Sequence, residues 1–296
     1  MRAKLFSKKM IPFVLAFCFL VCGFYAGRNL LNVYAEGSEN VFYVGGDGAD
    51  DANNGLTAST AVATLKKAYE LIPADNAKTY IVISGEVNIN KSNVKVIKDD
   101  TADKNVYYQF ESHKGEVIIT SVYGGVDYRE TPYNAKLGMY YGNWCLMGDT
   151  TFENINIKDK ARGVYAHYFD LCLGEGIGGT DFSDIVNLGI NSTYRTNLTS
   201  EADVNDVKFT IKSGNIGTLY GGGTGQQRTT NKTMGKDYSI EINVEGGSIK
   251  DSLYGSGNGS HIHHKDITIN MKAGKVKTLY GVHGQANIYG NVYINM

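Results

Sequence analysis

Four histidines crowd the last part of the chain. "SHIHHKD" at 260–266 carries His261, His263 and His264, and His283 follows further on. Alternate residues of an extended strand share a face, so His261 and His263 point the same way, and His264 with His283 from a neighbouring segment can approach them. Neutral imidazoles grouped like this bind zinc or copper. The plainer reading makes them polar residues of a loop after "YGSGNG", with no carboxylate fixed to orient the rings. A second cluster, "GGDGADDANNG" at 45–55, sets Asp47, Asp50, Asp51 and Asn53 together as hard oxygen donors suited to calcium. It lacks the alternating acids and closing Glu of an EF-hand, and a solvated Asx-rich turn accounts for the same residues. No other cofactor is expected. Tyrosine is the third candidate, at 21 residues, with Tyr220, Tyr254 and Tyr280 at equivalent points of a repeat. A row of rings offers stacking faces to the sugars of a glycan, or forms a structural stack over a sheet edge or corner.

The repeat that places those tyrosines is written three times. "NIGTLYGGGTGQQ" (215–227) returns as "SIKDSLYGSGNGS" (248–260) and "KVKTLYGVHGQ" (275–285). Before them stand "VKFTIKSG", "YSIEINVEGG" and "ITINMKAG", and "VYINM" opens a fourth copy from Val292. Each alternates apolar and polar residues with the period of two that marks a strand. One face reads Val207, Phe209, Ile211; Ile240, Ile242, Val244; Ile267, Ile269, Met271; Val292, Ile294, Met296. The other carries Thr210, Asn243, Asn270 and Asn295 at one matched position. Gly214, Gly247 and Gly274 follow the first strand of each complete copy, where a corner needs positive φ or a close backbone approach. Repeats of this length, built of short strands, predict a solenoid in which identical aliphatic rows stack into one interior. The expected fold is all-β: a right-handed parallel β-helix with a short N-terminal capping α-helix. "QQRTTNKTMGKD" is expected to bulge as a loop.

Upstream echoes are looser. "TYIVISGEVNIN" (79–90) reads as a strand pair broken at Ser84–Gly85, "GEVIITSVYGG" (115–125) as strand and Tyr-Gly-Gly, and "TFENINIKDKARGVYAHY" (151–168) as a further coil. Cys145 and Cys172 lie 27 residues apart, close to one coil, so vertical stacking is expected, as thiols or as a disulfide. "STAVATLKKAYELIP" reads as an amphipathic helix burying Leu65, Ala68, Leu71 and Ile72 and ending at Pro73, placed to cover the open end of the solenoid.

Residues 1–35 read as a secretory signal, "MRAKLFSKKM" basic, "IPFVLAFCFLVCGFYAG" apolar, then small residues before cleavage at Ala35. A retained anchor helix is the alternative. Of 29 basic and 30 acidic residues, cleavage removes five basic ones and leaves a net charge of −6 on residues 36–296. No basic block remains, which excludes nucleic acid as a partner, and no second apolar run suits a membrane. "NVYINM" starts a coil that it does not complete, so further repeats or an anchoring module are expected to follow. "NST", "NLT", "NKT" and "NGS" match the glycosylation pattern.

"VFYVGGDGADDANNGLTASTAVATLKKAYELI" resembles the opening of pectate-lyase-like right-handed β-helix proteins, and "GGVDYR" (124–129) with "GDTTFENINI" (148–157) resembles segments of large secreted or cell-wall-associated Gram-positive proteins of this fold. The resemblance implies an extracellular, cell-surface protein on a scaffold that hosts lyases, hydrolases, adhesins and stalks alike. Lyases of this kind pair a basic residue with calcium-binding carboxylates, and hydrolases cluster aspartates. The repeats instead offer Lys212 and Lys272 beside Thr and Asn, with Glu245 the one acid. The upstream half adds Asp127, Arg129, Glu130, Glu153, Asp170 and Glu175. The expectation is an adhesin-like or carbohydrate-binding display role toward a polysaccharide or host-surface glycan. A polysaccharide lyase or glycoside hydrolase, and a passive stalk, are the alternatives.

Overall fold

Alternation of aliphatic and polar residues makes each short strand two-faced, and one coil alone cannot cover its apolar face. In the computed structural model, which describes residues 39–75, 77–89, 95–100, 105–140, 142–189, 206–223, 238–258, 262–263, 265–284 and 286–296, the coils solve this by stacking in parallel. Among the described residues a nine-stranded sheet runs through Asn40–Val44, Thr79–Ile83, Val117–Thr120, Thr150–Glu153, Leu171–Leu173, Val207–Ile211, Ile240–Val244, Ile267–Met271 and Val292–Asn295. Every neighbouring pair in it is parallel. An eight-stranded sheet forms the opposite wall and is parallel except for the hairpin Lys95–Asp100/Asn105–Gln109 at one edge. A four-stranded sheet of Glu86–Asn88, Lys136–Gly138, Asn156–Asp159 and Gly178–Gly179 joins the two walls in the first half only. Asn40–Met296 is one compact unit, an all-β parallel β-helix.

Register carries the core from coil to coil. Phe42, Ile81, Ile119, Phe152, Leu173, Ile211, Val244 and Met271 are successive partners in one column. Leu171, Phe209, Ile242, Ile269 and Ile294 form another. Phe209, Ile242 and Ile269 are fully buried, each contributing about 1.5–3 kcal/mol of apolar burial. The opposite wall supplies Trp144, Val164, Val186, Leu219 and Leu253, also in register. Gly214, Gly247 and Gly274 turn the corners at φ +79°, +63° and +85°, a region where side chains other than glycine's are strained.

The helix is shorter than its sequence pattern. It spans Leu65–Leu71 and starts at the cap Thr64, whose Oγ1 accepts the Lys67 N–H at 3.1 Å; Ala58–Thr60 is a separate 3-10 turn. Leu65, Ala68 and Tyr69 are its buried residues, while Leu71 and Ile72 are half-buried, because Pro73 forces Ile72 into extended backbone. It packs beside Asn40–Val44 at the first coil. Among the described residues no helix is long and apolar enough to cross a membrane. The signal segment 1–35, "QQRTTNKTMGKD" and the "NST", "NLT" and "NKT" sequons lie outside the described residues.

The two cysteines do not stack, which corrects the expectation from their spacing. Cys145 is in the eight-stranded sheet, paired with Gln109 and Tyr165; Cys172 is in the nine-stranded sheet, paired with Thr151 and Thr210. Neither is in a disulfide. Coil length varies here, 33 residues from Val117 to Thr150 and 21 from Thr150 to Leu171, so a separation of 27 lands on a different wall.

Candidate functional site

The residues that leave the core are the ones that can meet a ligand, and the parallel register lines them up in outward rows. On the nine-stranded sheet one outward row reads Glu116, Asp149, Asp170, Lys208, Glu241, directly beside the inward row of Val117, Thr150, Leu171, Phe209 and Ile242. The next outward row reads Ile118, Thr151, Cys172, Thr210, Asn243, Asn270, Asn295. Where the rows run between Glu116 and Thr210 they line a cleft of about 320 Å³.

Hydrogen bonds from one coil to the next fix the carboxylates. Asp149 Oδ1 accepts the Asp170 N–H at 2.9 Å, and Asp170 Oδ1 accepts the Lys208 N–H at 2.7 Å. Thr151 Oγ1 donates to Glu116 Oε1 at 2.8 Å, and Lys78 pairs with Glu116 at 3.3 Å. Lys208 reaches Glu241 at 3.7 Å. Asp170 is exposed at the lip, yet partial desolvation raises its carboxyl above the ordinary range; Asp149 adds to that, against the pull of the Lys208 N–H. Burial likewise pushes the Cys172 thiol up, which favours its protonated form. Chemically the cleft offers carboxylates, hydroxyls and an ammonium on a rigid wall. That set suits hydrogen bonding to a polyhydroxylated ligand.

Asp170 was visible in the sequence as an upstream acid; Glu116, Asp149, Lys208 and Thr151 were not singled out. The signal was there in "EVIIT", "DTTF" and "DLCL", where an acid directly precedes a short apolar strand and therefore faces outward beside its neighbours.

Tyr220, Tyr254 and Tyr280 are brought together as one row of the eight-stranded sheet. Tyr220 and Tyr254 stack with centroids 5.0 Å apart at 5°, and Tyr254 and Tyr280 at 4.8 Å and 7°. The ring faces are thus turned to one another along the solenoid, and Tyr280 alone of the three is exposed, at 45%. Burial, with Tyr254 beside it, raises the Tyr220 hydroxyl's pKa. His283 packs edge-on against Tyr220 and Tyr254 at 6.1 and 5.2 Å, and its backbone N–H donates to Ser256 Oγ at 2.7 Å. His263 lies in the short strand Ile262–His263, and His261 and His264 fall outside the described residues.

In the acidic loop, Asp51 accepts the Ala63 and Thr64 N–H groups and the Thr64 hydroxyl, each at 2.9 Å. Asn53 donates to Gly48 O at 3.2 Å and Ala61 O at 2.9 Å, and Asp50 Oδ1 accepts the Ala52 N–H at 2.9 Å. Asp47 is exposed. These oxygens brace the loop and the cap of the helix. Among the described residues no three His, Cys, Asp or Glu side chains gather closely enough to hold a metal ion. Of the other upstream acids, Asp127 holds Arg129 through two contacts of 2.9 and 2.6 Å, and Arg129 Nη1 also donates to Gly176 O at 3.0 Å.

No family model matches the chain, and comparison with curated proteins and with solved structures finds no match either.

Proposed function

We propose that this is an exported, surface- or wall-associated β-helix protein that binds polysaccharide on the outward face of its nine-stranded sheet, in an adhesin-like or display role. The observation that carries the reading is the cleft itself: about 320 Å³, spanning successive coils, with Glu116, Asp170, Lys208, Thr151 and Thr210 converging from one rigid sheet. Such a mix of acceptors and donors matches the hydroxyls of a sugar chain. Export is supported by the basic, apolar and small-residue order of residues 1–35. Resemblance to the pectate-lyase-like proteins supports the same setting at the level of sequence pattern.

A second reading, a polysaccharide-cleaving enzyme, is favoured by one observation: Asp149 and Asp170 sit side by side on adjacent coils, the Asp170 N–H on Asp149 Oδ1 at 2.9 Å, and partial desolvation raises the Asp170 carboxyl. Two carboxyls whose environments differ can divide the acid and base roles of glycosidic cleavage. One experiment separates the readings. The protein is incubated with acidic and neutral polysaccharides while unsaturated ends and reducing sugar are followed, and the same glycans are tested for binding on an array. Binding without turnover, weakened by Lys208→Ala, is the expected result. Turnover abolished by Asp170→Asn establishes the enzyme instead, and neither binding nor turnover leaves a stalk.

A further inference from the structure

The corner between the four-stranded and eight-stranded sheets recurs on three successive coils, and each coil leaves polar side chains there. Tyr140 stands between Lys136–Gly138 and Asn143–Cys145. Lys158, Asp159 and Lys160 stand between Ile157 and Ala161, and Thr180 with Asp181 follows Gly178–Gly179. Together these six residues line a groove of about 670 Å³, within the range of small-ligand sites. Tyr140 is 65% exposed and held at φ +28°, in left-handed backbone that a tyrosine does not adopt without cost. An exposed ring kept on the lip of a groove by a strained backbone serves no packing purpose, and strain of this kind gathers at functional positions.

Three of the four charges around the ring are paired within the protein. Lys158 pairs with Glu86 at 2.6 Å, Lys160 with Asp184 at 2.5 Å, and Asp181 with Lys250 at 2.6 Å. A polyanion entering here must break those pairs, whereas a neutral polyhydroxylated chain can use the ammonium protons that the Lys158–Glu86 pair leaves over. Asp159 is exposed, and no group among the described residues donates a hydrogen bond to its carboxylate, which stands as an acceptor for hydroxyls. The groove also advances by one inter-strand step of about 4.8 Å per coil, a repeat that suits a chain of rings laid along the solenoid.

We propose that this corner groove is a second saccharide subsite, separate from the cleft of the nine-stranded sheet, which takes a neutral pyranose glycan with one ring stacked on Tyr140 and its hydroxyls on Asp159, Lys158 and Lys160. The inference rests on the polysaccharide-binding reading and names a ligand class for it. Aromatic stacking supplies the apolar face of the sugar with a flat partner, and the flanking ions fix its orientation.

The test is calorimetric titration of the full chain with xylo-, cello- and manno-oligosaccharides, and with oligogalacturonate as the acidic comparison. Tyr140→Ala is expected to weaken binding of the preferred neutral oligosaccharide by about tenfold, the size of a lost stacking contact, while Tyr140→Phe stays within about twofold. Tyr140→Trp keeps the platform and reports on it by fluorescence, since the chain's one native tryptophan, Trp144, is fully buried. Its emission is expected to change on saturation. If a neutral glycan binds and neither Tyr140→Ala nor the Tyr140→Trp emission responds, this inference is overturned and the polysaccharide-binding reading stands. If the wild-type chain binds none of the glycans, both are overturned.

Discussion

The coils from Thr79 to Asn187 and those from Val207 to Asn295 share one nine-stranded sheet yet fill it differently. The first group has three walls, and its wider interior takes Trp144, Phe110, Phe152 and Phe182, with Phe110 on Trp144 at 5.2 Å and Phe152 on Phe182 at 4.9 Å, both edge to face. The second group has two long walls with only a two-stranded parallel pair, Ile262–His263 and Asn287–Ile288, beside them, and apart from Phe209 and Met271 its inward rows repeat Ile, Val and Leu in register. A constant cross-section lets one side chain recur at each level, and a changing one demands a different shape at each level. The same contrast governs the outside. The regular half has uniform rows: stacked tyrosines, and an amide ladder in which Asn295 donates to Asn270 at 2.7 Å and Asn270 to Asn243 at 2.8 Å. The irregular half has the corner groove and most of the cleft, whose far lip, Lys208 and Thr210, belongs to the first regular coil. Regularity makes walls; departures from it make hollows.

The largest effects are expected in the core. Phe152→Ala in the irregular half should cost about 3–5 kcal/mol, and Ile269→Ala in the regular half about 2–5 kcal/mol. Urea unfolding checks both, and the two halves sharpen or break their contrast by its shape. Stacked coils that contact only neighbours are expected to unfold in one transition if the shared sheet couples them, and in two if it does not.

Corner glycines come next. Gly247→Ala places a Cβ 2.7 Å from Gly214 O at φ +63°, and should cost about 1–3 kcal/mol. Gly124→Ala in the irregular half, at φ +59° with nothing within 4 Å, should cost only about 1 kcal/mol. Thermal melts of the pair separate crowding from backbone conformation.

The acid limb of stability should be carried by Asp127 and its like. Arg129 lowers the Asp127 pKa, so its stabilisation is present above the unfolded value of 3.8 and lost as pH falls through the lower folded value. Asp127→Asn should therefore flatten the acid-side loss of stability. Asp170 has the opposite sign: its raised value means stabilisation that is full below 3.8 and lost as pH rises through the folded pKa. Asp170→Asn should leave the acid limb intact and hold or slightly raise the melting temperature at pH 7. The smallest effect is at Tyr140, where Tyr140→Gly should hold or raise the melting temperature by relieving the φ of +28°.

Legibility followed the same division. The rows Val207–Ile240–Ile267–Val292 and Thr210–Asn243–Asn270–Asn295, and the three corner glycines, could be read from alternation and repeat length, because equal coils bring equal residues into register. Of the four-stranded sheet, Glu86–Asn88 was legible as the strand after Ser84–Gly85, whereas strands as short as Gly178–Gly179 show no period. Coil lengths that change from step to step also hid the cleft, whose Asp149 and Asp170 are 21 residues apart in the chain and adjacent in space. The tyrosine row was legible as a row, but the direction of its ring faces depends on the stacking distance, which no spacing states.

The two halves meet where Cys172 of the last irregular coil pairs with Thr210 of the first regular one. In register on adjacent parallel strands, their Cα atoms stand about 4.8 Å apart, within reach of a disulfide. Mild oxidation of a Thr210→Cys chain should link residues 172 and 210, seen as one cross-linked peptide by mass spectrometry, with Cys145 still free. A chain that oxidises to Cys145 instead, or leaves Cys172 and the new thiol both free, contradicts a single continuous stack.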